Sequence, residues 1–152
     1  MKKTKISVFI TLITLVASLT FGTTSASAVF SGGDGQSVDT AWQISSCTDL
    51  VAINGSTDYS DDFFIVTADF SCATNGVLQP IAASMGGNFS GEFNGNGKTI
   101  SDITIDPAFG EGAGMFYQLQ NANIKDLTLD NISVESSLSY VGLLSGNSVG
   151  TY

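Results

Sequence analysis

The chain has 152 residues with five Lys, fourteen acidic residues, no Arg and no His, which gives a net charge of −9. Binding to nucleic acid depends on clustered Lys or Arg, so this composition excludes nucleic acid as a partner. With no His and only two Cys, the usual zinc ligand sets are also missing. We therefore expect no metal and no other cofactor.

Residues 1–28 have the pattern of a secretory signal peptide. Three Lys precede an apolar stretch from Val8 to Leu19, and Ala26-Ser27-Ala28 forms a cleavage site of small residues. The apolar stretch is short for a helix that spans a bilayer. We therefore expect cleavage after Ala28, no membrane span in the mature protein, and export by a bacterial Sec system to the cell surface or the medium.

Removal of the signal peptide changes both the size and the charge of the protein. The mature chain has 124 residues, enough for one domain with a modest core. Lys98 and Lys125 are its remaining cations, so its net charge is −12. Cys47 and Cys72 are its two cysteines, and in an exported protein they predict a structural disulfide.

The mature chain begins with a predicted lead-in and a cap. Residues 29–40 are rich in Gly, Ser and Asp, which is typical of a flexible segment. We expect 41–88 to form an N-terminal cap with the first strands. In it, 41–44 is a strand with Trp42 as a core residue, and Ser45 or Ser46 caps a short helix through 49–53.

Two extended segments follow the predicted helix. The run from Phe63 to Phe70 has the strongest β composition in the chain, and Val77 to Ile81 is a shorter extended piece. Further on, Phe89 and Phe93 alternate with small or polar residues and should point inward. The Asn-Gly-Asn-Gly run at 94–97 predicts a tight corner with positive φ angles.

Residues 89–152 contain an internal repeat. The segment Thr99–Asp106 is matched by a similar segment at Asn123–Asp130, which indicates a 24-residue period. Each copy leads into a Gly-apolar-apolar step, at 114–116 and at 142–144. Such periods indicate a solenoid whose units must stack to bury an apolar face. We expect about two coils of a parallel β-solenoid with a third cut short.

Apolar residues within each copy follow the period of a β-strand, with one irregularity. The slip between Ile100 and Ile103 predicts a bend or bulge, because two residues separate them instead of one. The predicted repeat motif consists of glycines at corners and apolar residues facing the core: Gly91, Phe93, Gly95, Gly97, Ile100, Ile103, Ile105, Gly114, Ile124, Leu127, Leu129, Gly142 and Gly146.

The run from Phe89 to Ile105 resembles the F-x-G-x-F-D-G-N-G-H-x-I-x-N-L-x-I run of GLUG-motif bacterial surface proteins. The Gly steps at 113–116 and 141–146 and the segment 42–50 are also similar to that family. The resemblance implies an all-β fold, a right-handed parallel β-helix-like solenoid with a small cap containing a short helix. It also implies a place in large adhesins or other surface proteins, some of which carry IgA-cleaving metalloendopeptidases. That peptidase activity does not transfer, since this chain has no His to hold zinc.

The leading functional hypothesis is a non-catalytic module for adhesion or scaffolding, with an extracellular protein or glycan as its ligand. The alternative is a small glycan-active enzyme of the β-helix class. Hydrolysis of a glycosidic bond needs two carboxylates about 5 to 9.5 Å apart. Candidate pairs are Asp61 with Asp62, and Asp102 with Asp126, which the 24-residue period places one coil apart. We expect repeat-surface roles for both members of the second pair and no catalytic residues.

The last predicted coil is not followed by a capping element. An uncovered coil would expose unpaired backbone groups and apolar surface. We therefore expect this chain to be a piece of a longer repeat protein, with further repeats of the same or another chain at its C-terminal end.

Overall fold

The computed structural model of the protein describes residues 29–83, 87–106, 112–136 and 140–150. The predicted signal peptide, 1–28, lies outside the described residues. Within them the chain is mostly β-strand, with one short α-helix and three short 3₁₀ turns. The prediction of a mainly β fold with a small helical element is confirmed.

The cap contains the predicted strand and helix. β1 (Trp42–Ile44) is followed by α1 (Cys47–Ala52). The 3₁₀ turns Val38–Thr40, Ile53–Gly55 and Thr57–Tyr59 flank these two elements. Of the two predicted caps, Ser46 is the N-cap: its hydroxyl accepts a hydrogen bond from the Asp49 amide and satisfies one of the donors that a helix leaves open.

The predicted lead-in is packed against the cap at 30–32. Phe30 is 2% exposed, and its ring contacts Trp42, Tyr59 and Phe64. Backbone hydrogen bonds join the segment at 31–32 to Gln43 of β1. Composition predicts a flexible segment here, but burial of one phenylalanine holds it against β1.

Eleven further short strands complete the described β structure: β2 (Phe63–Val66), β3 (Phe70–Ser71), β4 (Val77–Leu78), β5 (Glu92–Asn94), β6 (Thr99–Ile105), β7 (Gly112–Ala113), β8 (Phe116–Gln120), β9 (Asn123–Lys125), β10 (Thr128–Val134), β11 (Tyr140–Val141) and β12 (Ser145–Val149). The predicted run 63–70 is thus divided into two strands, β2 and β3.

The strands form four parallel sheets in the described residues. The first sheet has the order β1-β2-β5-β9, and the second has β3-β6-β10 with β4 also paired to β6. The third pairs β8 with β12, and the fourth pairs β7 with β11. The strands β5, β6, β7 and β8 each pair with the strand four places later in the chain, which places sequence-distant segments side by side.

The structural repeat differs from the predicted 24-residue period. Thr99 pairs with Thr128, and Phe93 pairs with Ile124. Contacts between adjacent repeats accordingly join side chains at sequence separations of 29 and 31. β2, β3 and β4 pair with strands of 92–121 from the preceding level and belong to the first repeat; we call 92–121 the second repeat and 123–150 the third repeat. The predicted alignment was wrong because the segments beginning at Thr99 and Asn123 belong to different sheets.

The two glycine steps do lie side by side. The Gly142 amide donates a hydrogen bond to the carbonyl of Ala113, and the Met115 amide donates to the carbonyl of Leu143. The glycine steps therefore belong to equivalent positions of the second and third repeats, although the strands before them were misaligned.

Three positions of the second repeat have a left-handed backbone conformation that is found again at the equivalent position of the third repeat. The pairs are Asn96 and Asp126 (φ 52° and 50°), Asp102 and Asn131 (55° and 51°), and Asn121 and Gly150 (54° and 105°). Each pair joins equivalent positions of the second and third repeats. Asn, Asp and Gly are the residues that accept this conformation most readily, so these positions mark the repeat in the sequence.

The second pair explains the predicted slip in the strand pattern. Asp102 lies in the middle of β6 with a left-handed φ angle, so both Ile100 and Ile103 point into the core. They are 0% and 1% exposed.

Aromatic side chains fill the core beside these isoleucines. The predicted inward residues Phe89 and Phe93 are fully buried, and their rings pack on those of Phe64 and Phe116. The four rings come from two consecutive levels of the stacked strands: Phe64 and Phe89 lie one level before the second repeat, which contains Phe93 and Phe116.

The predicted disulfide is present. Cys47, at the start of α1, is bonded to Cys72, which directly follows β3. The bridge therefore joins the cap helix to the second sheet across a sequence separation of 25.

Candidate functional site

A polar groove lies on the outer face of the second sheet. Its volume is about 370 Å³. One side is the loop after Cys72, and the floor comes from outward-facing side chains of β6 and β10. The lining residues are Cys72, Ala73, Gly76, Val77, Asp102, Thr104, Asn131 and Ser133.

The parallel register of β6 and β10 brings the polar side chains of the groove together in two pairs. Thr104 pairs directly with Ser133, which places two hydroxyl groups on neighbouring strands. Asp102 and Asn131 also occupy matching positions, because the residues before them are paired in the register and so are the residues after them. The groove floor therefore presents carboxylate, amide and hydroxyl groups in matched rows.

The Asp102 carboxylate is held by three donors. Its Oδ2 accepts from the hydroxyls of Ser71 (2.6 Å) and Ser101 (3.0 Å), and its Oδ1 accepts from the Asn131 amide (2.7 Å). The Ser71 bond, followed by those from Asn131 and Ser101, lowers the pKa of Asp102. Hydrogen bonds to the charged form stabilise it, so this groove carries a fixed anion across neutral and mildly acidic pH.

The structure does not bring Asp102 and Asp126 together, so their predicted stacking was wrong. Asn131 occupies the position beside Asp102, whereas Asp126 lies in the turn before β10. The carbonyl of Asp126 accepts from the amide of Gly97, which places it beside the corner at 94–97. This carboxylate pair, one basis for the enzyme alternative, is therefore not formed.

The second candidate pair lies in the cap, where Asp61 and Asp62 are chain neighbours. Oδ2 of Asp62 accepts from the indole nitrogen of Trp42 at 2.7 Å. Burial raises the pKa of Asp62 against the opposing effect of this bond, and the charges of Asp61, Asp58 and Asp34 raise it further. Trp42 was predicted as a core residue; it is half-buried, with its indole nitrogen directed to this carboxylate.

A third polar cluster lies on the outer face of the first sheet. Nζ of Lys125 is 2.7 Å from Oε1 of Glu92, and the Asn123 amide donates to Oε2 of Glu92 at 2.6 Å. Both partners of Glu92 belong to the third repeat. This cluster therefore links neighbouring repeats and satisfies both oxygens of one carboxylate.

The predicted repeat-motif residues have structural positions. Gly91 and Gly95 are sites of close approach, where an added Cβ would meet the backbone of Asp62 and of Asp126, respectively. Gly114 lies in the turn from β7 to β8, and Gly142 lies in the equivalent turn from β11 to β12. Gly146 lies in β12. The apolar members are buried in the second repeat or half-buried in the third: Phe93, Ile100, Ile103, Ile105, Ile124, Leu127 and Leu129.

Sequence reasoning missed Thr104, Asn131 and Ser133 as groove residues. The signal that could have found them is the sequence separation of 29 between Asp102 and Asn131, which Thr104 and Ser133 share. The 24-residue alignment concealed it. Among the described residues, no group of three or more Cys, Asp or Glu side chains has an arrangement that could hold a metal ion.

Comparison with known proteins finds a relative with a partial match. Over 137 residues the chain is 31% identical to a protein named halomucin from Haloquadratum walsbyi (strain DSM 16790 / HBSQ001). The match covers 84% of this chain and 2% of halomucin, so the chain spans a small fraction of that relative's length. No family model and no solved structure matches the chain. In the described parts of the chain, none of the helices has the length and apolar character needed to cross a membrane.

Proposed function

We propose that this chain is an exported, non-catalytic module built as a right-handed parallel β-solenoid. The observation that carries the proposal is the parallel register, in which β5, β6, β7 and β8 each pair with the equivalent strand of the third repeat. The three left-handed positions recur in the same register. A fold in which every segment stacks on its counterpart in the next repeat grows by addition of coils and presents long, regular outer faces.

Three observations support a location outside the cell. The sequence of 1–28 has the three regions of a signal peptide. The Cys47–Cys72 disulfide is of the kind that persists in oxidising compartments. The similarity to halomucin is in keeping with a surface or secreted protein. From the resemblance of 89–105 to GLUG-motif bacterial surface proteins, we also propose that this chain is a module of that kind of protein.

The outer groove of the second sheet is the proposed ligand surface, in an adhesive or scaffolding role. Its carboxylate, amide and hydroxyl groups offer donors and acceptors suited to the hydroxyl groups of a glycan or to an exposed polar segment of a protein. Asp102 is held in place by its three partners, so the groove is organised before a ligand arrives. The mature chain has a net charge of −12, and this negative charge disfavours strongly acidic ligands.

One experiment tests location and chemistry together. The full chain is expressed in a Sec-competent bacterial host, and the cell fractions are analysed by mass spectrometry. We expect a mature protein outside the cytoplasm that begins at Val29 and contains the Cys47–Cys72 bridge. The purified protein is then incubated with a panel of neutral and acidic polysaccharides, and new reducing ends are measured.

Two results would overturn the proposal. Retention of an uncleaved, reduced protein in the cytoplasm would contradict export. Release of reducing ends above the level of an Asp61→Asn/Asp62→Asn double variant would favour the glycan-active enzyme instead.

A further inference from the structure

The third repeat forms the same edge of all four described sheets. β9 and β10 end the first and second sheets, and β11 and β12 are the outer members of the fourth and third. Among the described residues, no strand pairs with their far sides. In the described parts of these strands, outward-facing backbone N–H and C=O groups offer donors and acceptors at the edge, except at Asn147, whose N–H and C=O bond the Ser145 hydroxyl.

Apolar side chains on this edge are less covered than their counterparts one repeat earlier. Ile100 is fully buried, whereas Leu129, its partner in the register, is half-buried. Met115 is 2% exposed, but Leu143, beside it in the matching glycine step, is 62% exposed. The difference arises because the third repeat covers the second, and no described segment covers the third.

Leu129 borders an open groove of about 340 Å³ at the edge. Its lining comes from the first and second sheets and from the glycine step: Ile124, Lys125, Asp126, Leu127, Leu129 and Leu144. The equivalent space above the second repeat is filled by the third repeat. The groove thus lies on the side of the third repeat that corresponds to the side of the second repeat on which the third repeat packs.

The opposite edge of the molecule is closed. The segment at 31–32 hydrogen-bonds to β1 on the side away from β2, and α1 and the turn after it bury Leu50 and Ile53 in the core. A second copy therefore has no free edge at β1 to offer. Two third-repeat edges could meet with their interiors aligned only if their strands ran antiparallel, unlike every described pair in this chain.

We infer that the exposed edge of the third repeat is a docking surface for one more parallel β repeat. This occupant has about the length of the third repeat, with apolar residues over Leu129, Ile132 and Leu144. It has Asn, Asp or Gly at the three positions that stack on Asp126, Asn131 and Gly150, the residues of the third repeat with a left-handed backbone conformation. The inference rests on the solenoid architecture of the proposed function, and it names the partner that this architecture accepts.

The test adds a copy of residues 121–150 after Tyr152 of the full chain and measures hydrogen exchange by mass spectrometry. We expect the amides of β10 and β12 to exchange at least tenfold more slowly than in the unextended protein, together with a higher melting temperature. The matched control carries Asn131→Val in the appended copy alone. Valine opposes the left-handed conformation, so this extension should protect β10 less.

Two outcomes would overturn the inference. The first is unchanged exchange in β10 and β12 when either extension is present. The second is protection of these strands in the unextended protein that rises with its concentration, because that result assigns the edge to a second copy. Failure of the proposed function is distinguishable, since an intracellular or polysaccharide-cleaving protein could still show the expected protection.

Discussion

The side-chain amide of Asn131 donates a 2.7 Å hydrogen bond to the carboxylate of Asp102, and both residues have left-handed backbones at matched positions of β10 and β6. One contact thus joins two features of the repeat. The backbone conformation turns the apolar neighbours inward, and the hydrogen bond connects adjacent repeats on the outer face.

Asn131→Val should destabilise the protein more than Asn131→Gly. Both variants lose the hydrogen bond, worth about 1 kcal/mol, while valine adds about 1 to 2 kcal/mol for the left-handed conformation. Chemical denaturation measures the difference. Ser133→Val is the matched control on the same strand, with an expected change within about 0.5 kcal/mol. Equal stability of the Asn131→Val and Asn131→Gly variants would contradict a requirement for left-handed backbone here.

Gly114→Ala should be strongly destabilising because the third repeat approaches this residue closely. An added Cβ would lie 2.5 Å from the carbonyl oxygen of Gly142 and 2.8 Å from Cα of Ser145, and both are backbone atoms that cannot rotate away. We expect a loss of about 2 to 3 kcal/mol in denaturant titrations. Gly55→Ala is the control: its Cβ would meet nothing within 4 Å, so stability should be unchanged or slightly higher. Similar losses for both variants would argue against close packing at Gly114.

Loss of the disulfide should weaken the attachment of the cap. A bridge that closes a loop of this length stabilises a protein by about 3 kcal/mol, mainly by restricting the unfolded chain. The Cys47→Ala/Cys72→Ala double variant should lose this free energy of unfolding in denaturant titrations. Adding a reducing agent should shift the wild-type protein to the same midpoint and leave the double variant unchanged. A shift of the double variant under reduction would show that the agent acts elsewhere.

Asp62→Asn should stabilise the protein at neutral pH. Burial, together with the charges of Asp61, Asp58 and Asp34, raises the pKa of Asp62 in the folded state. The folded state therefore holds this proton more tightly than the unfolded state, and stability falls as pH rises from the unfolded pKa through the folded pKa. Asparagine keeps an acceptor for Trp42 and removes the charge. We expect a gain on the order of 0.5 kcal/mol at pH 7.

The pH dependence separates this effect from a general change in packing. The gain from Asp62→Asn should shrink in thermal melts as pH falls through the folded pKa, because the wild-type carboxyl becomes protonated. Asp39→Asn, in the 3₁₀ turn before β1, is the control for removal of one negative charge. A gain for Asp62→Asn that persists at low pH would point to packing instead of charge.

Much of the local structure could be predicted from the sequence. The helix after Ser46, the β run at 63–66, the inward Phe89 and Phe93 and the disulfide all follow from patterns within a few residues or from the pairing of the two cysteines. The slip between Ile100 and Ile103 also indicated an irregular strand, and the structure assigns it to Asp102. Local conformational preference and side-chain polarity suffice for such predictions.

The register of the repeats and the groove were decided by the tertiary structure. Alternating apolar residues suit any of the sheets, so the similar segments starting at Thr99 and Asn123 suggested a 24-residue period although they lie in different sheets. Which residues stack depends on close packing, where Ile124 covers Phe93 and Leu129 covers Ile100, and on left-handed corners that must coincide between neighbours.

The sequence by itself determined the cap helix, the strand starting at Phe63 and the inward positions of Phe89 and Phe93, because these depend on local patterns. Only stacking decided which strands are neighbours, since that choice depends on how whole repeats pack on one another. It therefore placed Asn131 instead of Asp126 beside Asp102.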